Sequence, residues 1–210
     1  MSLKVYGYPN TRSVRVVWML EELALDYDYQ LVDFMKGESK ASGFLELNPA
    51  GKVPVLQVDG TYLTESAAII NYLHSLRPDA GLIPEGGALR RAVYDQWCFF
   101  ALTELEQPLW TMAKHKFAIP KEKRCPDVIA TAEWEFQQAL KLLSEGLGER
   151  DYILGKEFSA ADILIAHSLF WGMACKQPIE QENLKAYIGR CGIRPALAAA
   201  RAKEQAAGSA

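Results

Sequence analysis

Hydrophobic and polar positions in the first third of the chain alternate between the period of a strand and the period of a helix. These patterns occupy seven segments, strand-like at 3–6, 29–33, 53–58 and 61–63 and helix-like at 14–25, 43–47 and 66–76. Asp59-Gly60, between the last two strand patterns, is a strong two-residue hairpin signal. Asn10 or Thr11 can cap the first helix. The pattern predicts the order β-α-β-α-β-β-α.

The rest of the chain carries helical patterns with no convincing strand. Two long ones run over 88–116 and 126–146, and Pro108 is expected to bend or divide the first. A third helix has a clear start, because Ser159 and Asp162 are spaced as a capping box. An alanine-rich helix is expected over 195–205.

Prolines and glycines are dense between the two parts of the chain, as is typical of a linker. The sequence therefore predicts three regions, an N-terminal domain over 1–77, a linker over 78–87 and an all-helical domain over 88–210.

Composition narrows the function. The formal net charge is −3, so no basic field favours nucleic acid or an anionic membrane. No apolar run approaches the roughly 18 residues of a transmembrane helix, and the N-terminus has no secretory-signal pattern, so a cytoplasmic chain is expected. The four cysteines and three histidines are scattered and predict no redox pair and no metal site.

Two short segments favour ligand binding. Pro54 cannot donate to a sheet, so it belongs at a strand start with Val53 held extended before it. Glu65-Ser66 lies at the turn before the last helix of the N-terminal part. Amides and a hydroxyl at a helix N-terminus suit a carboxylate, and Glu65 supplies an acceptor for an ammonium group.

Segments 47–56, 63–69 and 158–162, in this order and at these spacings, resemble the cytosolic glutathione S-transferase family, of bacterial type. The resemblance covers essentially the whole chain. It implies an α/β thioredoxin-like N-terminal domain followed by an all-α C-terminal domain. It also implies a cis bond before Pro54, which leaves the backbone of Val53 free to pair with glutathione. Glu65 and Ser66 would hold the γ-glutamyl end, and Lys40 and Lys52 the glycyl carboxylate.

The group that activates the glutathione thiol is left open among four residues. Thr11 has a hydroxyl at the junction of loop and helix, where amides favour an anion. Asn10, Ser13 and Tyr6 are the alternatives, and Tyr6 falls where tyrosine-type classes keep their catalytic tyrosine. No cysteine lies within the first domain, which disfavours cysteine-type catalysis.

The resemblance implies a detoxifying transferase that joins glutathione, as cosubstrate, to a hydrophobic electrophile, with peroxide or disulfide reduction as side activities. No tightly bound cofactor is expected, and family members are usually homodimers. A non-enzymatic ligand-binding protein of the same fold is the alternative. Candidate residues for the second-substrate pocket are Tyr8, Trp110, Lys114, Phe117 and Trp171.

Overall fold

A computed structural model describes residues 2–208. The chain forms two compact units. The first combines the initial 82 residues with the segment from Ile193 onward, and the second covers Ile83–Gly192. No helix within residues 2–208 is both long and apolar enough to cross a membrane.

The first unit is built on a four-stranded mixed sheet in the order β2-β1-β3-β4. Its elements are β1 Leu3–Gly7, α1 Ser13–Glu22, β2 Asp28–Leu31, α2 Ser42–Leu47, β3 Val55–Val58, β4 Thr61–Leu63, α3 Ser66–Leu76 and, from the end of the chain, α9 Pro195–Gly208. β1 is parallel to β2 and antiparallel to β3, and β3 pairs with β4 through the hairpin. The predicted β-α-β-α-β-β-α order is confirmed.

The helix α9 belongs to the first unit, where it packs against α1 and β2. From the sequence, this helix is expected within the helical domain instead. Its contact face is formed by Leu197, Ala200 and Glu204, which are buried at near-helical spacing. The predicted boundaries at residues 77 and 88 stay a prediction.

The second unit is helical. Its helices are α4 Ala88–Phe100, α5 Glu106–Ala113, α6 Val128–Leu147, α7 Ala160–Ala174 and α8 Glu182–Gly192. The predicted division of the first long helix is confirmed, because a π-helical segment at Ala101–Leu105 separates α4 from α5. A proline ring clashes with the carbonyl four residues before it, here that of Glu104, and a wider turn at that point accommodates Pro108.

The start of α7 is held by the hydrogen bonds of a buried carboxylate. Ser159 and Asp162 form the predicted capping box. Asp162 has no exposed surface, and its two carboxylate oxygens accept from Ile153 N, Ser159 N, Ser159 Oγ and Tyr187 Oη at 2.6 to 2.9 Å. This carboxylate therefore joins α7 both to the preceding loop and to α8.

Candidate active site

The loop between β1 and α1 holds a compact network of hydroxyl groups. Thr11 Oγ1 donates to the Tyr8 carbonyl at 2.7 Å and lies 2.8 Å from Ser13 Oγ. Two backbone amides fix the pair, since Tyr8 N donates to Ser13 Oγ and Ser13 N donates to Thr11 Oγ1, at 3.1 and 3.2 Å. Thr11 is half-buried, whereas Ser13 has no exposed surface. Of the two hydroxyls, only that of Thr11 therefore lies on a residue that solvent or a ligand can reach.

The other candidate activating groups lie in different surroundings. Asn10 is exposed and has a left-handed backbone, with φ of 59°. The Tyr6 hydroxyl donates to Gln57 Oε1 at 3.0 Å, and its ring packs near Phe44 in a hydrophobic cluster. The predicted cap by Asn10 or Thr11 is wrong in position, because the N-cap of α1 is Arg12. Thr11 Oγ1 nevertheless accepts the first helical amide, that of Ser13.

The N-terminus of α3 joins Glu65 to Ser66. Glu65 is the N-cap residue and has φ of 65°, while Ser66 is the first residue of the helix and is 6% exposed. Arg15, which has no exposed surface, donates from Nη1 to Ser66 Oγ at 3.3 Å. A buried guanidinium and the positive end of the helix dipole therefore both favour a negative group at Ser66.

The loop before β3 lies close to the end of the Lys40 side chain. The peptide bond Val53-Pro54 is cis, as the resemblance implied. Gly51 has φ of 61°, and a Cβ added there would lie 2.7 Å from both Lys40 Nζ and the Ser39 carbonyl oxygen. The amino group of Lys40 therefore lies beside Gly51, which precedes the exposed Lys52 in the sequence.

The predicted second-substrate residues divide between the two units. Tyr8 belongs to the first, where its ring stacks on Phe34 with centroids 4.8 Å apart. Trp110, Lys114, Phe117 and Trp171 belong to the second. Phe117 is 68% exposed, and Trp110, Lys114 and Trp171 are each half-buried.

Three features of the first unit were missed from the sequence. They are Arg15 behind Ser66, the close approach at Gly51, and a contact between Tyr29 and Glu204, whose Oη and Oε1 are 3.3 Å apart. Burial raises the pKa of Glu204 to about 8, and the pKa of Tyr29 is also raised by burial. Only Arg15 had a signal in the sequence, because it is a charged residue within the otherwise apolar run Val14–Leu20. A charge at such a position indicates a buried partner.

Comparison with known proteins decides the family. The N-terminal domain model of glutathione S-transferase matches residues 1–75, and the C-terminal domain model matches residues 107–195. The chain belongs to the glutathione S-transferase family.

Individual transferases are similar along most of their length. Glutathione S-transferase GstA of Escherichia coli O157:H7 is 28% identical over 196 residues, which are 92% of this chain and 94% of the relative. Glutathione S-transferase hmp2 of Hypomyces subiculosus is 33% identical over 172 residues, 78% of this chain and 79% of the relative. The solved structure of a sphingomonad glutathione S-transferase complexed with glutathione is 30% identical with a TM-score of 0.81, and the match covers 96% of this chain and 98% of that one.

These matches confirm the predicted family, the thioredoxin-like and helical fold, and the prediction of a glutathione transferase enzyme. The non-enzymatic alternative is not favoured, because relatives matched over most of their length are named as transferases.

Proposed function

We propose that this transferase activates the thiol of glutathione through the Thr11 hydroxyl, for attack on a hydrophobic electrophile. The observation that supports this is the hydroxyl network of the β1–α1 loop, in which Thr11 is half-buried and Ser13 lies behind it. A free thiol has a pKa near 8.5. Each unit by which binding lowers this pKa corresponds to roughly 1.4 kcal/mol of preference for the thiolate.

The proton count favours Thr11 as the donor to sulfur. Each hydroxyl has one proton, and each already accepts from a backbone amide. When Ser13 donates to Thr11, the Thr11 proton goes to the Tyr8 carbonyl or to a thiolate bound against the loop. A thiolate is the stronger acceptor because it is charged, and the N-terminus of α1 adds to its stabilisation.

Glutathione would bind in an extended form along three places of the first unit. The backbone of Val53 pairs with its cysteinyl part, as in the recognition of other extended peptides. Ser66 and the amides of α3 receive the γ-glutamyl carboxylate, while Glu65 accepts from the ammonium group. Lys40, whose Nζ lies beside Gly51, and Lys52, the next residue after that glycine, receive the glycyl carboxylate.

The activating group is tested by the pKa of the bound thiol, measured from the ultraviolet absorbance of the thiolate as the pH is raised. Thr11→Val keeps the shape but removes the hydroxyl, and we expect it to raise this pKa by about one unit. Thr11→Ser keeps the hydroxyl and is the control that stays near the parent value. If Thr11→Val leaves the pKa in place while Asn10→Ala or Tyr6→Phe raises it, the assignment to Thr11 is wrong.

Ser13 is proposed as the residue that directs the Thr11 proton rather than as a contact to glutathione. Ser13→Ala should give a smaller rise in the thiol pKa than Thr11→Val, because the amide of residue 13 still donates to Thr11. Equal effects of the two variants would assign the two hydroxyls equal roles.

The second substrate is a hydrophobic electrophile, and Tyr8, Trp110, Lys114, Phe117 and Trp171 are proposed as its contacts. Substitution of each should change KM for a chloronitrobenzene more than KM for glutathione. Peroxide and mixed-disulfide reduction are proposed as side activities, and detoxification in the cytoplasm as the setting. Glutathione is proposed as a cosubstrate with no tightly bound cofactor.

A homodimer is proposed from the resemblance. On α4, Leu89 and Val93 are 78% and 40% exposed and lie one turn apart, so the helix presents an apolar strip. The mass in solution, measured by light scattering, tests this proposal. Leu89→Glu should lower the measured mass to that of one chain if the strip lies in the interface.

A further inference from the structure

The last turns of α9 lie against the loop that carries Thr11. Tyr29 Oη, from β2, donates to Glu204 Oε1 of α9 at 3.3 Å, across 175 positions of sequence. Glu204 is 2% exposed. One turn further along α9, a Cβ added at Gly208 would lie 3.6 Å from Pro9 Cγ. Glu204 and Gly208 are four residues apart and therefore face the same way.

Tyr29 connects this helix to the hydroxyl network. A Cβ added at Gly7 would lie 2.6 Å from Tyr29 Oη and 2.8 Å from Ser13 Cβ. The phenol and Ser13 thus pack on the same small face at the end of β1. Ser13 in turn lies 2.8 Å from Thr11 through their hydroxyl oxygens. A displacement of the Tyr29 ring would therefore move Gly7 or Ser13.

We propose that Tyr29 and Glu204 are positioning residues, which hold Gly7 and Ser13 so that Thr11 presents its hydroxyl to the glutathione sulfur. This rests on the proposed role of Thr11. Glu204 accepts from Tyr29 and so fixes the orientation of the phenol. The ring in turn packs against Gly7 and holds the end of β1 in place. The last turn of α9, through Gly208, supports Pro9 from the same side.

The burial of Glu204 fits this role. Its pKa is raised to about 8 by loss of solvent, with the hydrogen bond from Tyr29 acting in the opposite direction. The acid is therefore neutral near pH 7, and an uncharged carboxyl accepts from Tyr29 without a buried charge. Glutamine, which has the same shape and an amide oxygen, can replace it in that role.

If the contact between Tyr29 and Glu204 only stabilises the fold, its loss should lower the melting temperature and leave the thiol pKa unchanged. A second contact of α9 provides the control. Arg194 binds Glu22 through two bonds of 2.6 and 2.7 Å, and so attaches the other end of α9 to α1. Arg194 and Glu204 lie about 15 Å apart at the rise of a helix. Glu22 Oε1 also accepts from Trp18 Nε1 of α1 at 2.8 Å. Loss of the ion pair should therefore loosen the packing of α9 on α1 and leave the contacts of the loop in place.

The test uses the full chain and measures the pKa of bound glutathione thiol, the dissociation constant of glutathione and the melting temperature. We expect Tyr29→Phe and Glu204→Leu each to raise the thiol pKa by about half a unit to one unit. The double variant should show no further rise in the thiol pKa, because each substitution removes the same hydrogen bond between Tyr29 and Glu204. Glu204→Gln should restore the parent pKa, and the dissociation constant should change by less than about twofold throughout.

The control variant Glu22→Gln should lower the melting temperature and leave the thiol pKa unchanged. If Tyr29→Phe and Glu204→Leu behave like Glu22→Gln, the two residues only stabilise the fold and the proposal is overturned. Should Glu204→Leu not fold, Tyr29→Phe alone decides the question. Thr11→Val separates the two proposals. An unchanged thiol pKa in Thr11→Val overturns the role of Thr11 itself. A thiol pKa that is raised in Thr11→Val but unchanged in Tyr29→Phe overturns only the positioning role.

Discussion

Arg15 Nη1 donates to Ser66 Oγ at 3.3 Å, so a cation without exposed surface lies directly behind the first residue of α3. A charged donor polarises the serine hydroxyl and strengthens its own donation to an incoming carboxylate. The proposed γ-glutamyl site would thus be supported from the inside of the protein as well as by the amides of α3.

Arg15→Gln should weaken glutathione binding by about tenfold, because it removes the charge but keeps a donor near Ser66. Isothermal titration calorimetry measures the loss. Cysteinylglycine, which lacks the γ-glutamyl group, is the control ligand, and its affinity should be unaffected. An equal loss for both ligands would mean that Arg15 acts through the general stability of the unit instead.

Gly51→Ala should weaken glutathione binding and lower stability. Its φ of 61° is unfavourable for alanine, and the new Cβ would lie 2.7 Å from Lys40 Nζ and from the Ser39 carbonyl oxygen. The left-handed backbone conformation alone should lower the free energy of unfolding of the alanine variant by about 1 to 2 kcal/mol. Gly43→Ala in α2 is the matched control, because nothing lies within 4 Å of its added Cβ. The melting temperature and the glutathione affinity should fall only in Gly51→Ala.

Asp162→Asn should lower the free energy of unfolding by about 3 kcal/mol. Both carboxylate oxygens accept from donors, so the amide nitrogen of asparagine would face two of them. Tyr187→Phe removes one donor and should cost only about 1 kcal/mol. Denaturant titration checks both values, and similar losses in the two variants would contradict a central role for the carboxylate.

Glu204 makes stability depend on pH. Its pKa is about 8 in the folded protein, against an ordinary value of 4.5, because it is buried. The folded state therefore keeps a proton that the unfolded state releases, and the free energy of unfolding falls as pH rises through this interval. Tyr29 and Tyr27 face the carboxyl and stay neutral, since burial raises both of their pKa values, and Glu21 accepts from Tyr27 at 2.6 Å.

Melting temperatures of the parent and of Glu204→Gln, measured from pH 5 to above 8, check this dependence. The parent should lose stability towards pH 8 relative to Glu204→Gln, whose amide cannot ionise. Parallel curves for the two proteins would show that Glu204 is not protonated when folded.

Local patterns were sufficient for most of the fold. The hairpin at Asp59-Gly60, the division of the long helix before Pro108 and the capping box of Ser159 each depend on residues close in sequence, so local patterns could predict them. The helix α8 was missed because its polar composition obscures three buried residues, Leu184, Tyr187 and Cys191. Their spacing at i, i+3 and i+7 was the available signal.

The candidate site was predicted only in part, for a physical reason. Thr11, Ser66 and the two lysines follow from short motifs, but the groups behind them come from distant parts of the chain. Arg15 reaches Ser66 across 51 positions, and Tyr29 reaches Glu204 across 175. The residues that flank each member of such a pair do not indicate which distant residue it contacts, so only the folded structure reveals the contact.

The membership of α9 in the first unit has a consequence for synthesis. Every residue of the helical unit is translated before the segment from Ile193 onward, although that segment covers α1 and β2. A nascent chain that ends before Glu204 therefore has a complete sheet but lacks the contacts of α9 with Tyr29 and Pro9. The loop that carries Thr11 therefore gains its full set of neighbours, together with α1 and β2, only after α9 has left the ribosome.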